Sequence, residues 1–365
     1  MEYKIIIGID ASRANRAEKT GVEWYAFNLI QEFKKLIPSE YRVMLYSAEP
    51  LMGELAVLPP NWESKIIKGI NFGCGPWLWT QLGLTLEMIK NKPDILFVPS
   101  HAIPFIHPKH TFTTIHDIGF EVFPESYSFL ARLYHRFSAR LALYAAEKIF
   151  TPSEFTKEEI VKRYRADPEK IIITPLGFDA GRYNPHPADK TGREPYVVFV
   201  GRVEKKKNVK RLIEAFRLLK SEVSIPHKLM ILGMPGYGFE EIKEAAGDSK
   251  DIIFTGYVPV ADMPVILANA SLCALPSLYE GFGIPVLESF ASGVPVLTSN
   301  TSSLPEVAGD AAVLINPESV EEIKGGLKKL ILDDNYRSLL IEKGLARAKD
   351  FSWEKTAKKT LSAIL

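Results

Sequence analysis

Apolar residues come in short unbroken runs, separated by polar, glycine-bearing stretches and by segments with helical periodicity. Residues 5–10 (Ile-Ile-Ile-Gly-Ile-Asp) form the first run and read as a buried strand. A polar loop follows over 11–19, then Thr20-Gly21-Val22, then an apolar-periodic helix over 23–36. Further strands are predicted at 41–46, 94–99, 111–117, 149–151 and 171–175. Ser153 is placed to cap the helix after the fourth of these. The stretch 183–195 is polar and proline-rich, which is linker composition, and it divides the chain into near-equal halves. The alternation then restarts with strands at 196–200, 228–233, 251–258, 270–275 and 293–298, helices at 209–219, 263–269 and 284–291, and a last helix from Phe351-Ser352-Trp353 to the end. Buried strands alternating with helices predict doubly wound α/β domains, whose ligands lie at the carboxyl ends of the strands.

Composition adds limits. The 365 residues suffice for two domains, and 46% hydrophobic with 24% charged is a globular balance. A formal net charge of +1 gives no global field for nucleic acid. Cys74 and Cys273 are too few and too far apart for a disulfide framework or a zinc site, and they fit a reducing, cytoplasmic setting. The N-terminus has no signal-peptide pattern, and no apolar run approaches the ~20 residues of a membrane span.

Two stretches carry chemistry. In Glu280-Gly281-Phe282-Gly283-Ile284-Pro285-Val286-Leu287-Glu288 a glycine turn joins a strand to a helix with Pro285 near its first position. Glycines let the backbone approach a ligand, and the helix start offers N–H groups to a phosphate. The carboxylates Glu280 and Glu288 beside such an anion site call for a ligand that also carries hydroxyls, as a nucleotide sugar does. The second stretch, Gly201-Arg202-Val203-Glu204-Lys205-Lys206-Lys207-Asn208, sets four cations between a strand end and a helix start. Arg202 matches phosphate oxygens with a planar fork and Lys207 with a compact charge. Lys205 and Lys206 read as solvated.

In the first half, His116-Asp117 ends a predicted strand, where it either faces a ligand or packs in a loop. Asp117 reads as holding the loop or the histidine ring. Gly21 is a site glycine or only a turn glycine. The segment 71–89, with Trp77 and Trp79, either borders an acceptor or packs aromatics beneath a loop. Over 124–148, Phe129, Leu133, Phe137, Leu141 and Tyr144 recur at helical spacing with Arg132, Arg136 and Arg140 between them. Such a helix either packs into the core with a solvated basic face or lies on an anionic membrane. His101, His107 and His110 show no metal spacing.

The Glu-x7-Glu stretch resembles the signature of the retaining glycosyltransferases of family 4 (GT4, group 1). Gly201-Arg202 with Lys207-Asn208 resembles that family's diphosphate site. Gly8-Ile9-Asp10 with Thr20-Gly21-Val22-Glu23 resembles the N-terminal opening of many members, and Thr20-Gly21-Val22-Glu23 and His116-Asp117 resemble the mannosyltransferases among them. At the crossover, Leu176-Gly177 stands where Asn-Gly is usual. The resemblance covers nearly the whole chain and is densest over 198–315.

It implies a GT-B fold, two doubly wound Rossmann-like domains facing a central cleft. Residues 1–185 would form the acceptor side, 186–348 the nucleotide-sugar donor domain, and 349–365 a helix crossing back to the first domain. It implies a hexosyltransferase that retains anomeric configuration, by front-face attack with the leaving phosphate as base, and uses no metal and no cofactor beyond a GDP- or UDP-linked sugar. Arg202, Lys207 and the N–H groups of Phe282, Gly283 and Ile284 would offset charge on the departing diphosphate. Glu280 would take hydroxyls of the donor sugar, Glu288 those of the ribose, and His116 would approach the sugar. Gly21, Gly201 and Gly281 would border the donor, and the backbone at Tyr257 and Val258 would read the base. GDP-mannose is the expected donor, with UDP-glucose and UDP-N-acetylglucosamine open. A glycan or lipid-linked intermediate is the expected acceptor, in polysaccharide biosynthesis in the cytoplasm; peripheral contact with the inner face of the membrane rests on the Arg132 to Arg140 face alone. The rivals are a nucleotide-sugar epimerase of the same shape, a dinucleotide-dependent oxidoreductase, against which the missing Gly-x-Gly-x-x-Gly counts, and a non-catalytic relative that binds the nucleotide sugar.

Overall fold

A computed structural model describes residues 5–68, 79–185 and 194–365. Cys74, Trp77 and the stretch 186–193 lie outside the described residues.

The chain forms two compact units: Met1–Val122 with Tyr127–Leu176 and Trp353–Leu365, and Phe123–Ser126 with Gly177–Ser352. The passage between them falls at Leu176–Gly177, ahead of the 185/186 boundary read from the proline-rich stretch.

The first unit holds a seven-stranded parallel sheet in the order β3-β2-β1-β4-β5-β6-β7. Its strands are β1 (Ile5–Asp10), β2 (Tyr41–Ser47), β3 (Trp62–Ile66), β4 (Ile95–Val98), β5 (His110–Thr114), β6 (Lys148–Thr151) and β7 (Ile171–Ile173). β1 pairs with both β2 and β4, so the strand order reverses there. β4 is buried along its whole length, as a strand covered on both faces is expected to be. The edge strand β3 escaped the apolar pattern because only Trp62 is buried in it.

Two elements of this unit differ from expectation. β5 stops at Thr114, so His116 and Asp117 lie beyond the strand. The Asp117 carboxylate accepts the Gly119 N–H at 2.8 Å and turns the chain there. The amphipathic stretch becomes a helix over Phe129–Ala145, capped by Ser128, and of its apolar stripe only Leu141 packs inward. Its buried residues are Ser138, Ala139 and Ala142, whereas Phe129, Leu133, Phe137 and Tyr144 are exposed. The core-packing reading of that stripe holds for Leu141 and is corrected for Phe129, Leu133, Phe137 and Tyr144.

The last helix, Trp353–Ile364, belongs to the first unit. It buries Trp353, whose ring meets Tyr25 edge-on at 6.1 Å, and its Thr356 hydroxyl donates to the Pro175 carbonyl at 2.6 Å.

The second unit holds a six-stranded parallel sheet in the order β10-β9-β8-β11-β12-β13. These are β8 (Tyr196–Val200), β9 (Lys228–Leu232), β10 (Ile252–Gly256), β11 (Leu272–Leu275), β12 (Val296–Ser299) and β13 (Ala312–Ile315). β8 pairs with β9 on one side and β11 on the other, which sets the reversal of strand order between β8 and β11. Ligands of open α/β sheets bind at such a reversal.

Candidate active site

In the second unit, the two stretches singled out by sequence leave the sheet on either side of its reversal. The loop 201–208 follows β8, and the loop 276–283 follows β11. The Gly201 N–H donates to the Leu232 carbonyl at 3.0 Å, and Gly233 crosses so closely that a Cβ there would collide with the Gly201 carbonyl. Both glycines sit at positive φ, 146° and 140°, so the chain can lie flat over the strand ends.

Lys207 and Glu280, expected to serve separate parts of a ligand, are joined. The Lys207 ammonium pairs with Glu280 Oε1, and the Ser277 hydroxyl donates to the same oxygen at 2.8 Å. The two charged side chains are 19% and 18% exposed. Among the described residues no ion pair holds Arg202, which is exposed at the start of the loop. Lys205 pairs with Glu241 and lies over the Tyr237 ring, 5.3 Å from its centroid. Lys206 is not the solvated residue expected: its side chain is only 15% exposed and reaches Glu204 at 3.5 Å.

Asn208, named in the sequence only as the end of the basic stretch and given no role there, has a structural one. It is buried in the left-handed conformation, with φ 60°, and its side-chain amide donates to the Pro276 carbonyl at 3.0 Å and the Pro317 carbonyl at 2.6 Å. It therefore ties the two loops together and opens the helix Val209–Glu222. The signal was present in its type, since Asn tolerates this conformation and favours helix starts.

The turn 280–283 is held by a buried serine. Ser303 Oγ lies 2.9 Å from both the Glu280 and the Phe282 carbonyl oxygens. Gly283 has φ 109° and precedes the helix Ile284–Ala291, whose first N–H groups have no partner within the helix. Gly281 is buried, and the Phe282 ring is buried against Phe351, 5.9 Å between centroids, so only main-chain atoms of Phe282 remain for a ligand. Glu288, one turn into the helix, is hydrogen-bonded by Tyr183. Burial pushes its carboxyl up to about 7; the Tyr183 bond pulls the other way, and Asp179 adds to the rise. Tyr257 is exposed and Val258 half-buried just past β10, so Tyr257 is not a core residue.

In the first unit, the side chains at the reversal between β1 and β4 come from distant segments. Asp10 ends β1, is buried, and is held by the Ser12 N–H at 2.9 Å and the Thr80 hydroxyl at 3.3 Å. Burial pushes its pKa upward. His116 Nε2 lies 3.2 Å from the Pro99 carbonyl oxygen. A carbonyl only accepts, so Nε2 carries the proton and Nδ1 the lone pair. The Tyr25 ring meets this imidazole edge-on at 4.5 Å, and burial holds its pKa below the usual histidine range. His101 Nε2 lies 2.9 Å from His135 Nδ1, and burial drives His101 down to about 3. Gln81 joins this polar group through the Tyr134 hydroxyl, at 2.9 Å. Gly21 is the first residue of the helix Gly21–Leu36; it is exposed, and a Cβ there would meet nothing within 4 Å.

Among the described residues, no group of three or more His, Cys, Asp or Glu is placed to hold a metal ion.

Comparison with known proteins agrees with this layout. Residues 19–182 match the Glycosyltransferase Family 4 model and residues 184–347 the Glycosyl transferases group 1 model. The chain is 33% identical over 262 residues to the O-antigen chain mannosyltransferase B of Escherichia coli, covering 69% of each protein. Two solved structures share the fold. WaaG, a glycosyltransferase involved in lipopolysaccharide biosynthesis, aligns with a TM-score of 0.74 at 18% identity over 98% of this chain and 99% of its own. Anabaena Alr3699/HepE, in complex with UDP and glucose, aligns with a TM-score of 0.74 at 17% identity over 99% of each chain. Two parallel α/β units with a reversal site in each, matched by both family models and by a relative across two thirds of its length, place this chain in the group 1, family 4 glycosyltransferases of GT-B fold.

Proposed function

We propose that the chain transfers mannose from GDP-mannose to a glycan or lipid-linked acceptor, without a metal ion and with retention of anomeric configuration. The observation that carries this reading is the joining of Lys207 to Glu280 at the reversal point of the second sheet, beside Arg202 and the start of the helix Ile284–Ala291. Mannose is drawn from the E. coli relative, a mannosyltransferase by name, and GDP from the resemblance of His116-Asp117 and Thr20-Gly21-Val22-Glu23 to mannosyltransferases. UDP is the competing nucleotide.

In this reading the diphosphate lies between Arg202, Lys207 and the N–H groups of Phe282, Gly283 and Ile284. Negative charge grows there as the sugar departs, and fixed donors aimed at growing charge lower the barrier. Lys207 also solves the problem of a carboxylate beside an anion, because its ammonium compensates Glu280. Both bonds to Glu280 end on Oε1, which leaves Oε2 to accept a hydroxyl of the donor sugar. His116 stays neutral and presents the Nδ1 lone pair to a sugar hydroxyl. Glu288 accepts the ribose hydroxyls, and the Tyr183 phenol supplies an equivalent bond when no nucleotide is bound.

The test is slow donor hydrolysis without acceptor, followed by proton NMR of the anomeric signal. GDP-mannose is expected to release α-mannose first, UDP-glucose to react far more slowly, and Glu280→Gln to stop the release. First-formed β-mannose, or equal use of UDP-glucose, contradicts the reading.

A further inference from the structure

The parallel pairing of β8 with β9 does not stop where the two strands end. Beyond them the Val203 N–H donates to the Met234 carbonyl at 2.9 Å, the Gly236 N–H to the Val203 carbonyl at 2.9 Å, and the Lys205 N–H to the Tyr237 carbonyl at 3.0 Å. Val203 and Pro235 form an isolated bridge of the same parallel sense. The loop 233–238 therefore runs beside the loop 201–208 as a continuation of the sheet. Hydrogen bonds of the main chain fix its position, since the side chains of Met234, Pro235 and Tyr237 are exposed.

Gly236 is a point of close approach between the two loops. A methyl group on it would stand 2.8 Å from Glu204 Cβ, 3.0 Å from Arg202 Nε and 3.1 Å from Arg202 Cγ. Carbon atoms prefer about 3.5–4.0 Å, so the stem of Arg202 lies in space that any side chain at 236 would take. Gly236 is not at positive φ, whereas its neighbours Gly233 and Gly238 are, at 140° and 79°. Its missing Cβ thus serves the approach of Arg202 and Glu204, not a left-handed backbone.

The four cations of the loop are held in two different ways. Lys205 pairs with Glu241, Lys206 with Glu204 and Lys207 with Glu280, so a carboxylate offsets part of each charge. Arg202 has no ion pair among the described residues and is held by packing against Gly236. An exposed arginine ordinarily keeps many rotamers and loses that freedom when it grips a ligand. One laid against a backbone that is itself bonded into the sheet is ordered in advance, with its whole charge and its planar fork left for an anion.

We propose that Gly236 is a positioning residue for the transfer reaction: by leaving its Cβ space to the stem of Arg202, it aims the guanidinium at the diphosphate without neutralising it. The inference rests on the donor reading above, since it takes Arg202 as a diphosphate ligand, and it gives Gly236 a role exercised through Arg202 alone.

The experiment is a double-mutant cycle of Gly236→Ala and Arg202→Ala, read by calorimetric titration with GDP and by thermal unfolding. Gly236→Ala is expected to weaken GDP about tenfold, the scale of one lost hydrogen bond to a charged group, and to lower kcat for GDP-mannose hydrolysis as well. In the Arg202→Ala background the same change is expected to alter GDP affinity less than about twofold, because no guanidinium remains to be displaced. A merely structural role would weaken GDP alike in both backgrounds, and that result overturns the proposal, as does wild-type affinity in Gly236→Ala. Thermal unfolding without nucleotide reads the packing itself. The fall in melting temperature caused by Gly236→Ala is expected to be smaller in Arg202→Ala, the Glu204 contact being common to both backgrounds; equal falls overturn the proposal. Should Gly236→Ala fail to fold, wild type alone decides through its arginine Nε–H resonances. That of Arg202, identified by its absence in Arg202→Ala, is expected to be as rigid as the backbone before any ligand is added, and free rotation overturns the proposal. GDP bound equally by wild type and Arg202→Ala overturns the donor reading and the proposal with it. A coupled unfolding cycle beside that result would show the packing to be right and the ligand wrong.

Discussion

Each sheet reverses its strand order once, and the two reversal points hold different chemistry. In the second unit the side chains are charged, and they come from two contiguous loops, 201–208 and 276–283. Lys207, Glu280 and Ser277 are bonded to one another there, and Asn208 ties the loops. In the first unit the groups are drawn from far apart in the chain, such as Asp10 with Thr80 and Gln81 with Tyr134, and burial shifts them toward neutral forms. A preformed cluster of charge suits a ligand part with fixed charge, a diphosphate. A buried neutral set of donors and acceptors suits hydroxyls. On the proposed function the difference is a division by chemistry: the charged cluster of the second unit serves the diphosphate, with Glu280 and Glu288 on hydroxyls beside it, and the neutral set of the first unit serves hydroxyls alone.

The division can be broken most forcefully at Glu280. Glu280→Gln is expected to lower kcat about 10²- to 10³-fold, with the melting temperature nearly unchanged because the ion pair is partly exposed. Steady-state kinetics with a melting curve checks this, and an unchanged kcat would remove Glu280 from the site. His116→Ala tests the other unit. It is expected to cost about 10²-fold in kcat, and Asp117→Asn less, since Asp117 holds a loop. If His116→Ala alters only the melting temperature, the first unit is a scaffold and the comparison fails.

Asn208→Ala sharpens the contrast in stability instead. It leaves two buried carbonyls unpaired and forces alanine into a left-handed conformation, for an expected loss of about 2–4 kcal/mol in denaturant unfolding. Asn208→Gly relieves the backbone cost and is expected to recover only part of it.

Glu288 predicts a pH dependence. Its folded pKa of about 7 lies above the ordinary 4.5, so the folded chain holds more protons between those values. Stability from this group therefore falls as pH rises through that window, by on the order of 1–3 kcal/mol. Glu288→Gln is expected to flatten that decline in unfolding measured from pH 4.5 to 8. The smallest effect on folding is expected at Gly21, where φ is not positive and a Cβ meets open space. Gly21→Ala is expected to move stability by less than about 0.5 kcal/mol. A fall in donor affinity at constant stability would show that the ligand comes close to that helix start.

Much of this was legible because the informative residues are local. The run 5–10 and the helix 284–291 fall where the apolar pattern put them, and the Glu280 turn announces itself by its glycines. Facts that depend on distant partners were not legible. The Tyr183 bond to Glu288 links residues with four strands of the second sheet between them in the chain, and the burial of Lys206 depends on Glu204 and the turn that follows it. The stripe from Phe129 to Tyr144 had the right period, but periodicity states only that one side is apolar. Whether that side meets the core depends on the neighbouring elements, and here Ser138, Ala139 and Ala142 meet it, with only Leu141 from the stripe.

The central claim is that the loops at the second reversal point grip a nucleoside diphosphate. Its most direct test is a thermal-shift screen of GDP, UDP and ADP on wild type and Arg202→Ala, because a ligand that binds only the native state raises the melting temperature by mass action. The account predicts that GDP stabilises wild type most and that Arg202→Ala, with its own melting temperature intact, loses that shift. Equal stabilisation of both proteins, or none of wild type by any of the three, would contradict it.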